Sequence, residues 1–138
     1  MGQEFQVTFV DYSEQYYAGM EKTSVPVKMS GKFLQIRNQS REYLLFSPKE
    51  YAPYHADIVK QFCKEKGLVG SYDGSGKRFN IHDPAWVVAG GGRFERDATR
   101  KWLRLFDDSM AYGKFDPNGL KEKILLIKEF ADYEVTVE

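Results

Sequence analysis

Apolar and polar residues alternate in several stretches of this chain, and helical spacing appears in two others. Phe5, Val7 and Phe9 against Gln6 and Thr8 make 3–10 a strand with one buried face. Residues 11–24, with Tyr12, Tyr16 and Tyr17 among polar neighbours, read as a loop or irregular arm. Strands are predicted at 25–29, 32–37 and 42–46, broken by Ser30-Gly31 and by Asn38-Gln39-Ser40 and ended by Pro48. A helix is predicted from Pro53, with Ile58, Val59, Phe62 and Cys63 on one face and Gly67 as a left-handed stop. The Gly-, Ser- and Asp-rich stretch 70–84 reads as an exposed loop or hairpin excursion. Strands resume at 85–89, 93–98 and 101–106. A second helix spans 117–130, with Leu120, Ile124, Ile127 and Ala131 at helical spacing, and a last strand carries Tyr133, Val135 and Val137. This order predicts one α+β domain over 1–138, a mixed β-sheet flanked by two helices. The 117–130 helix lies between strands and can act as a crossover, so some strands should pair in parallel.

Composition narrows the function classes. At 138 residues the chain can bury a core without disulfides or metal. Twenty basic residues balance twenty acidic ones, so nothing draws the whole molecule to nucleic acid or to an anionic membrane. Any anion site must be local. The single cysteine, Cys63, allows no intrachain disulfide and fits a reducing compartment. With its polar N-terminus, this gives an expectation of a cytoplasmic protein without leader or spanning segment.

Common catalytic signatures fail on inspection. One Cys and two separated His residues, His55 and His82, do not make a zinc site. The glycines at 90–92 lead into a strand, with Glu95 where a dinucleotide fingerprint has its third glycine. Gly76-Lys77 is followed by Arg78 where a phosphate-binding loop needs Ser or Thr. A cysteine-dependent phosphatase would carry Arg six positions after Cys63, where Val69 stands. Asp107-Asp108 read as solvated turn residues, Cys63 as a buried helix residue and His82 as a loop residue. His55 is different, because it falls in the first turn of the predicted helix. Free backbone N–H groups and the helix dipole favour an anion there. The same positive end disfavours imidazolium, so the ring should stay neutral near pH 7.

Four ordered blocks carry a resemblance. They are Tyr54-His55-Ala56-Asp57-Ile58, Gly90-Gly91-Gly92-Arg93-Phe94, Ser109-Met110-Ala111-Tyr112-Gly113 and Asp132-Tyr133-Glu134-Val135-Thr136. Together with Lys32-Phe33-Leu34-Gln35-Ile36-Arg37, the chain over roughly 25–138 resembles the protein phosphohistidine phosphatases of the Janus/Ocnus family. Residues 1–24 lie outside the resemblance, and 70–84 look like an insertion. The resemblance implies a mixed sheet with two helices and a metal-independent phosphatase needing no cofactor. It implies His55 as the catalytic residue and Lys32, Arg93 and Ser109 around the phosphate. Backbone N–H groups of His55, Ala56, Met110 and Ala111 would complete the pocket.

The implied substrate is phosphohistidine, or phospholysine, in a protein or peptide, and a monomer is expected. A P–N bond needs little push once its nitrogen is protonated, so holding the phosphoryl oxygens is the main task. Lys32 would act as a point charge and Arg93 as a two-pronged donor. His55 would attack phosphorus or deprotonate a water. Two other functions fit the same residues: a phosphate or phosphopeptide-binding module without catalysis, and a small-molecule phosphoamidase. The chain departs from the family before the helix, where Ser47 and Pro53 replace an arginine and an acidic residue. Both departures, with the 70–84 insertion, are expected at the mouth of the pocket. Taken singly, the glycine run could be a bulge, Lys32 and Arg93 edge-strand charges, and Ser109 a turn residue.

Overall fold

Tyr43-Leu44-Leu45-Phe46 is an apolar run without alternation, the pattern of a strand covered on both faces. All four side chains are buried. Tyr43 and Leu45 join one apolar cluster, and Leu44 and Phe46 join the other. The structure, a computed structural model, describes residues 6–13, 16, 27–51 and 54–138. The predicted strand start at 3–5, most of the 11–24 arm, residues 25–26 and the Pro53 helix start lie outside these residues.

The elements are β1 (Gln6–Asp11), β2 (Lys28–Asn38), β3 (Arg41–Pro48), α1 (His55–Lys66), β4 (Gly70–Tyr72), β5 (Phe79–Ile81), β6 (Trp86–Asp97), β7 (Trp102–Phe106), α2 (Leu120–Leu125) and β8 (Glu134–Val137). Six strands form one sheet in the order β1-β3-β2-β6-β7-β8, and β4 and β5 form a separate hairpin. The sheet is mixed, as expected. β1 runs parallel to β3 and β8 parallel to β7, the latter reached through α2. The remaining pairs are antiparallel. This is a single α+β domain with a helix on each side.

On one face α1 lays Ile58, Val59, Phe62 and Cys63 over Leu34, Ile36, Tyr43 and Leu45. Gly67 stops the helix as predicted, at φ 69°, and the Leu68 N–H reaches the Cys63 carbonyl at 2.8 Å. Tyr12, from the described part of the arm, is buried beneath this helix and donates its hydroxyl to Glu65 at 2.7 Å. On the other face Leu120, Ile124, Ile127 and Phe130 pack against Phe33, Phe46, Phe94 and Leu105. Buried Glu42 anchors α2 to the sheet, with Arg37 at 2.6 Å and Lys123 at 2.9 Å.

Three expectations need correction. The predicted breaks at Ser30-Gly31 and at the 90–92 glycines do not exist; β2 and β6 run straight through both. A Cβ on Gly31 would lie 2.0 Å from the Ser47 carbonyl oxygen, so glycine here lets a neighbouring strand approach. The second helix is not continuous over 117–130. Gly119 stands in the left-handed region at φ 68°, so α2 starts after it. Ile127 is extended at ψ 127°, and a separate 3-10 turn follows at Lys128–Phe130.

Candidate phosphoryl site

Lys32 on β2 and Arg93 on β6 are directly opposed in the antiparallel register. Neither strand is an edge strand, so these are not edge charges. Like charges facing each other across a sheet destabilise it. Their neighbourhood does not neutralise both. Arg93 has one carboxylate, Asp107, with Nε to Oδ2 at 3.4 Å. Lys32 takes part in none of the ion pairs among the described residues. Partial burial pushes the Lys32 ammonium below its usual range, and the nearby Arg93 charge adds to this; Asp57 and Glu50 partly oppose both.

His55 is the first residue of α1, following Tyr54 in extended conformation at φ −131°. The helix start is braced by Asp57, whose carboxylate accepts the Tyr54 N–H at 3.2 Å. The His55 ring is fixed from the sheet: Nε2 lies 3.0 Å from the Gly92 carbonyl oxygen. A carbonyl only accepts, so the neutral ring carries its proton on Nε2 and keeps a lone pair on Nδ1. The ring also lies against the glycine run, since a Cβ on Gly91 would come within 3.0 Å of His55 Cδ2. Burial pushes the imidazole below its ordinary pKa. The Gly92 bond opposes that shift, the Lys32 and Arg93 charges add to it, and Asp107 works against it. The neutral ring expected near pH 7 is therefore supported, and the first cause is burial.

The segment after β7 closes the site. Asp107 turns the chain through the left-handed region at φ 66°, and Ser109 and Gly113 bond backbone to backbone at 3.2 and 2.7 Å. Ser109 is buried, and its Oγ accepts the Tyr112 N–H at 3.2 Å. Ser109 thus does stabilise a turn. Its hydroxyl proton goes to no acceptor among the described residues, and neither do the N–H groups of Met110 and Ala111. This loop is joined to the glycine run: Gly91 N–H donates to the Gly113 carbonyl at 3.1 Å, and Phe115 N–H donates to that of Gly91 at 3.2 Å. The approach requires glycine at position 90, where φ is 151° and a Cβ would lie 2.3 Å from the Lys114 oxygen. The β6 register also shifts beside Gly90, so the run does sit at a bulge.

A cleft of about 600 Å³ results, lined by Lys32, His55, Arg93, Ser109, Met110 and Ala111 among others. Six of the seven site residues singled out in the sequence therefore share one cavity. Ala56 does not line it. Its side chain is fully buried on the face of α1 that packs on the sheet, and it can contribute only the N–H of a first helical turn. Ser47, expected at the mouth, is instead buried on β3 opposite Lys32.

The 70–84 insertion stands at the cleft, as expected, although none of its residues was singled out individually for the site. Asp73, Ser75, Lys77 and Arg78 of the β4–β5 hairpin line the same cleft, as do Tyr54, Asp107 and Asp108. The basic pair Lys77-Arg78 in a glycine-rich turn was the available clue. His82 bonds Ser71 Oγ at 2.9 Å within the hairpin and is not part of the lining. Cys63 is buried, and burial pushes its thiol up, away from a reactive thiolate.

In comparison with known proteins, no family model and no curated protein matches this chain. No helix among the described residues is long and apolar enough to cross a membrane. No group of three or more His, Cys, Asp or Glu among them could hold a metal ion.

Proposed function

We propose that this chain is a phosphatase for N-phosphorylated side chains in proteins or peptides, phosphohistidine first, working through His55 without need of a metal. The observation that carries this reading is the opposed Lys32–Arg93 pair sharing one cleft with the free Nδ1 lone pair of His55. Two cations held together on central strands want an anion between them, and a neutral imidazole beside that anion is a nucleophile or a base.

In the nucleophilic course, His55 Nδ1 forms a bond to phosphorus as the P–N bond to the substrate nitrogen breaks. The departing nitrogen takes a proton from solvent, which the attacking water returns in the second step. Water then attacks the phosphorus of the His55 adduct, releasing phosphate and restoring the ring, so one water is consumed per turnover. In the general-base course, Nδ1 takes the proton of a water that attacks phosphorus directly as the P–N bond breaks, and that proton passes to the departing nitrogen. Lys32, Arg93, the Ser109 hydroxyl and the N–H groups of Met110 and Ala111 serve both courses, because each places donors where charge develops on the phosphoryl oxygens. These donors supply the charge compensation that a metal provides elsewhere.

The test is release of phosphate from phosphohistidine peptides by the wild-type chain and by His55→Ala, both in the presence of a chelator. Turnover by the wild type that falls at least a hundredfold in the variant is expected. Unchanged turnover in the variant would sink the proposal. Phosphopeptide binding without any turnover by the wild type would point to the binding module instead.

A further inference from the structure

The phosphoryl clamp fills only part of the cleft. A phosphate occupies on the order of 100 Å³, about three times the ~30 Å³ share of a liquid water, whereas the cleft holds about 600 Å³. The remaining space is bounded by the β4–β5 hairpin, and that hairpin is a fixed wall. Asp73 Oδ1 accepts the N–H of Ser75 at 3.0 Å, its hydroxyl at 2.6 Å and the N–H of Gly76 at 3.1 Å. Tyr72 donates to Asp57 of α1 at 2.7 Å. From the other side the Tyr112 hydroxyl donates to the Phe79 carbonyl at 2.7 Å and accepts its N–H at 2.8 Å.

Nearly every polar side chain of this wall is thereby committed. Asp73 and Ser75 hold the turn. The Arg78 guanidinium bonds the Ala111 carbonyl and lies 4.8 Å over the Tyr112 ring. Lys77 is the exception. Its ammonium makes no ion pair or side-chain hydrogen bond among the described residues, yet it lines the cleft. Within the same lining, Asp107 is engaged by Arg93, which leaves Asp108 as the cleft's one carboxylate outside the ion pairs and the turn contacts described.

We propose that Lys77 is a specificity-determining residue, which takes a second anionic group of the substrate while Lys32 and Arg93 hold the phosphoryl. The proposal rests on the reading of the cleft as a phosphoryl site. The second group is an acidic side chain flanking the phosphohistidine or a second phosphate, and the experiment has an arm for each.

In the first arm, kcat/KM is measured on two phosphohistidine peptides that differ only in Glu or Gln at the flanking positions. An exposed ion pair supports a preference of about two- to fivefold for the acidic peptide. That ratio should fall to about one in Lys77→Ala and invert in Lys77→Glu. In the second arm, pyrophosphate and inorganic phosphate are titrated at equilibrium against wild type and Lys77→Ala, and the wild-type preference for pyrophosphate should vanish in the variant. Preference in the first arm alone assigns the acidic side chain, and in the second alone the second phosphate. No wild-type preference in either arm overturns the proposal, as does a preference that Lys77→Ala retains. Should the wild type turn over neither peptide, the phosphatase reading fails. The pyrophosphate titration then decides Lys77 by itself.

Discussion

Replacing Lys32 with Met removes one charge of the opposed pair while keeping an apolar stem of similar length. Directly opposed residues of an antiparallel pair have Cβ atoms about 5 Å apart. For charged ends about 6 Å apart, Coulomb's law gives a repulsion between about 0.7 kcal/mol in bulk water and about 3 kcal/mol at an effective dielectric of about 20. The Arg93 side chain is 65% exposed, so the lower end applies, and Asp57 and Glu50 offset part of it. Lys32→Met should therefore stabilise the anion-free protein by no more than about 0.7 kcal/mol, a rise in Tm of about 1–3 °C for a domain of this size. With phosphate present the order should reverse. A charge-assisted hydrogen bond contributes about 1.5–3 kcal/mol, so phosphate affinity should fall about 10- to 150-fold. At a phosphate concentration 100 times the wild-type Kd, ligand adds about 2.7 kcal/mol to the wild type and less than about 1.5 kcal/mol to the variant. Scanning calorimetry with and without phosphate reads both effects, and the two melting orders should cross. The pH dependence has a definite sign. Because the Lys32 pKa is lowered in the fold, the unfolded chain binds more protons between that value and 10.5, so stability rises with pH through this window. The variant should lack that rise. A lower Tm for anion-free Lys32→Met, with an unaltered phosphate shift, would show that Lys32 is a structural residue and refute the reasoning.

The His55 imidazole should titrate below 6.5, as followed by the ring proton resonances across pH, because burial and two neighbouring cations disfavour its charged form. The unfolded chain takes up this proton first, so the stability contributed by the neutral ring is complete above pH 6.5 and is lost as pH falls below it. Lys32→Met should raise the His55 pKa, and an unchanged value would show that the two residues do not interact. Gly91→Ala should cost about 1–3 kcal/mol, since its Cβ would lie 2.8 Å from the Phe33 carbonyl oxygen and 3.0 Å from both His55 Cδ2 and Leu34 Cδ2. The displaced imidazole should lower phosphohistidine turnover about tenfold or more. Gly74→Ala, where nothing lies within 4 Å, serves as the control; full activity in a destabilised Gly91→Ala would separate packing from the positioning of His55.

Local pattern settled much of this protein. Alternation at Leu103 and Leu105, helical spacing at Ile58, Phe62 and Cys63, and Gly67 as a stop are properties of neighbouring residues, so they could be read without the rest of the chain. They sufficed for the α+β class, the mixed sheet and the place of His55 at a helix start. The failures share one cause. Ser30-Gly31 and Gly90-Gly91-Gly92 look like breaks because glycine weakens a strand locally, yet both lie inside continuous strands. Only the tertiary structure shows that Ser47, Lys114 and Phe106 need the space a Cβ would fill. Likewise 117–130 keeps helical spacing, but Phe130 reaches the core through a 3-10 turn after Ile127 leaves the helix. The site follows the same division. Residue type marked His55 as a candidate at a helix start, and the resemblance singled out Lys32 and Arg93. That the two cations stand opposed, that Gly92 fixes the free nitrogen of His55, and that Lys77 faces the same cleft depend on register and docking. Those are set by contacts between residues far apart in the chain, which no local pattern encodes.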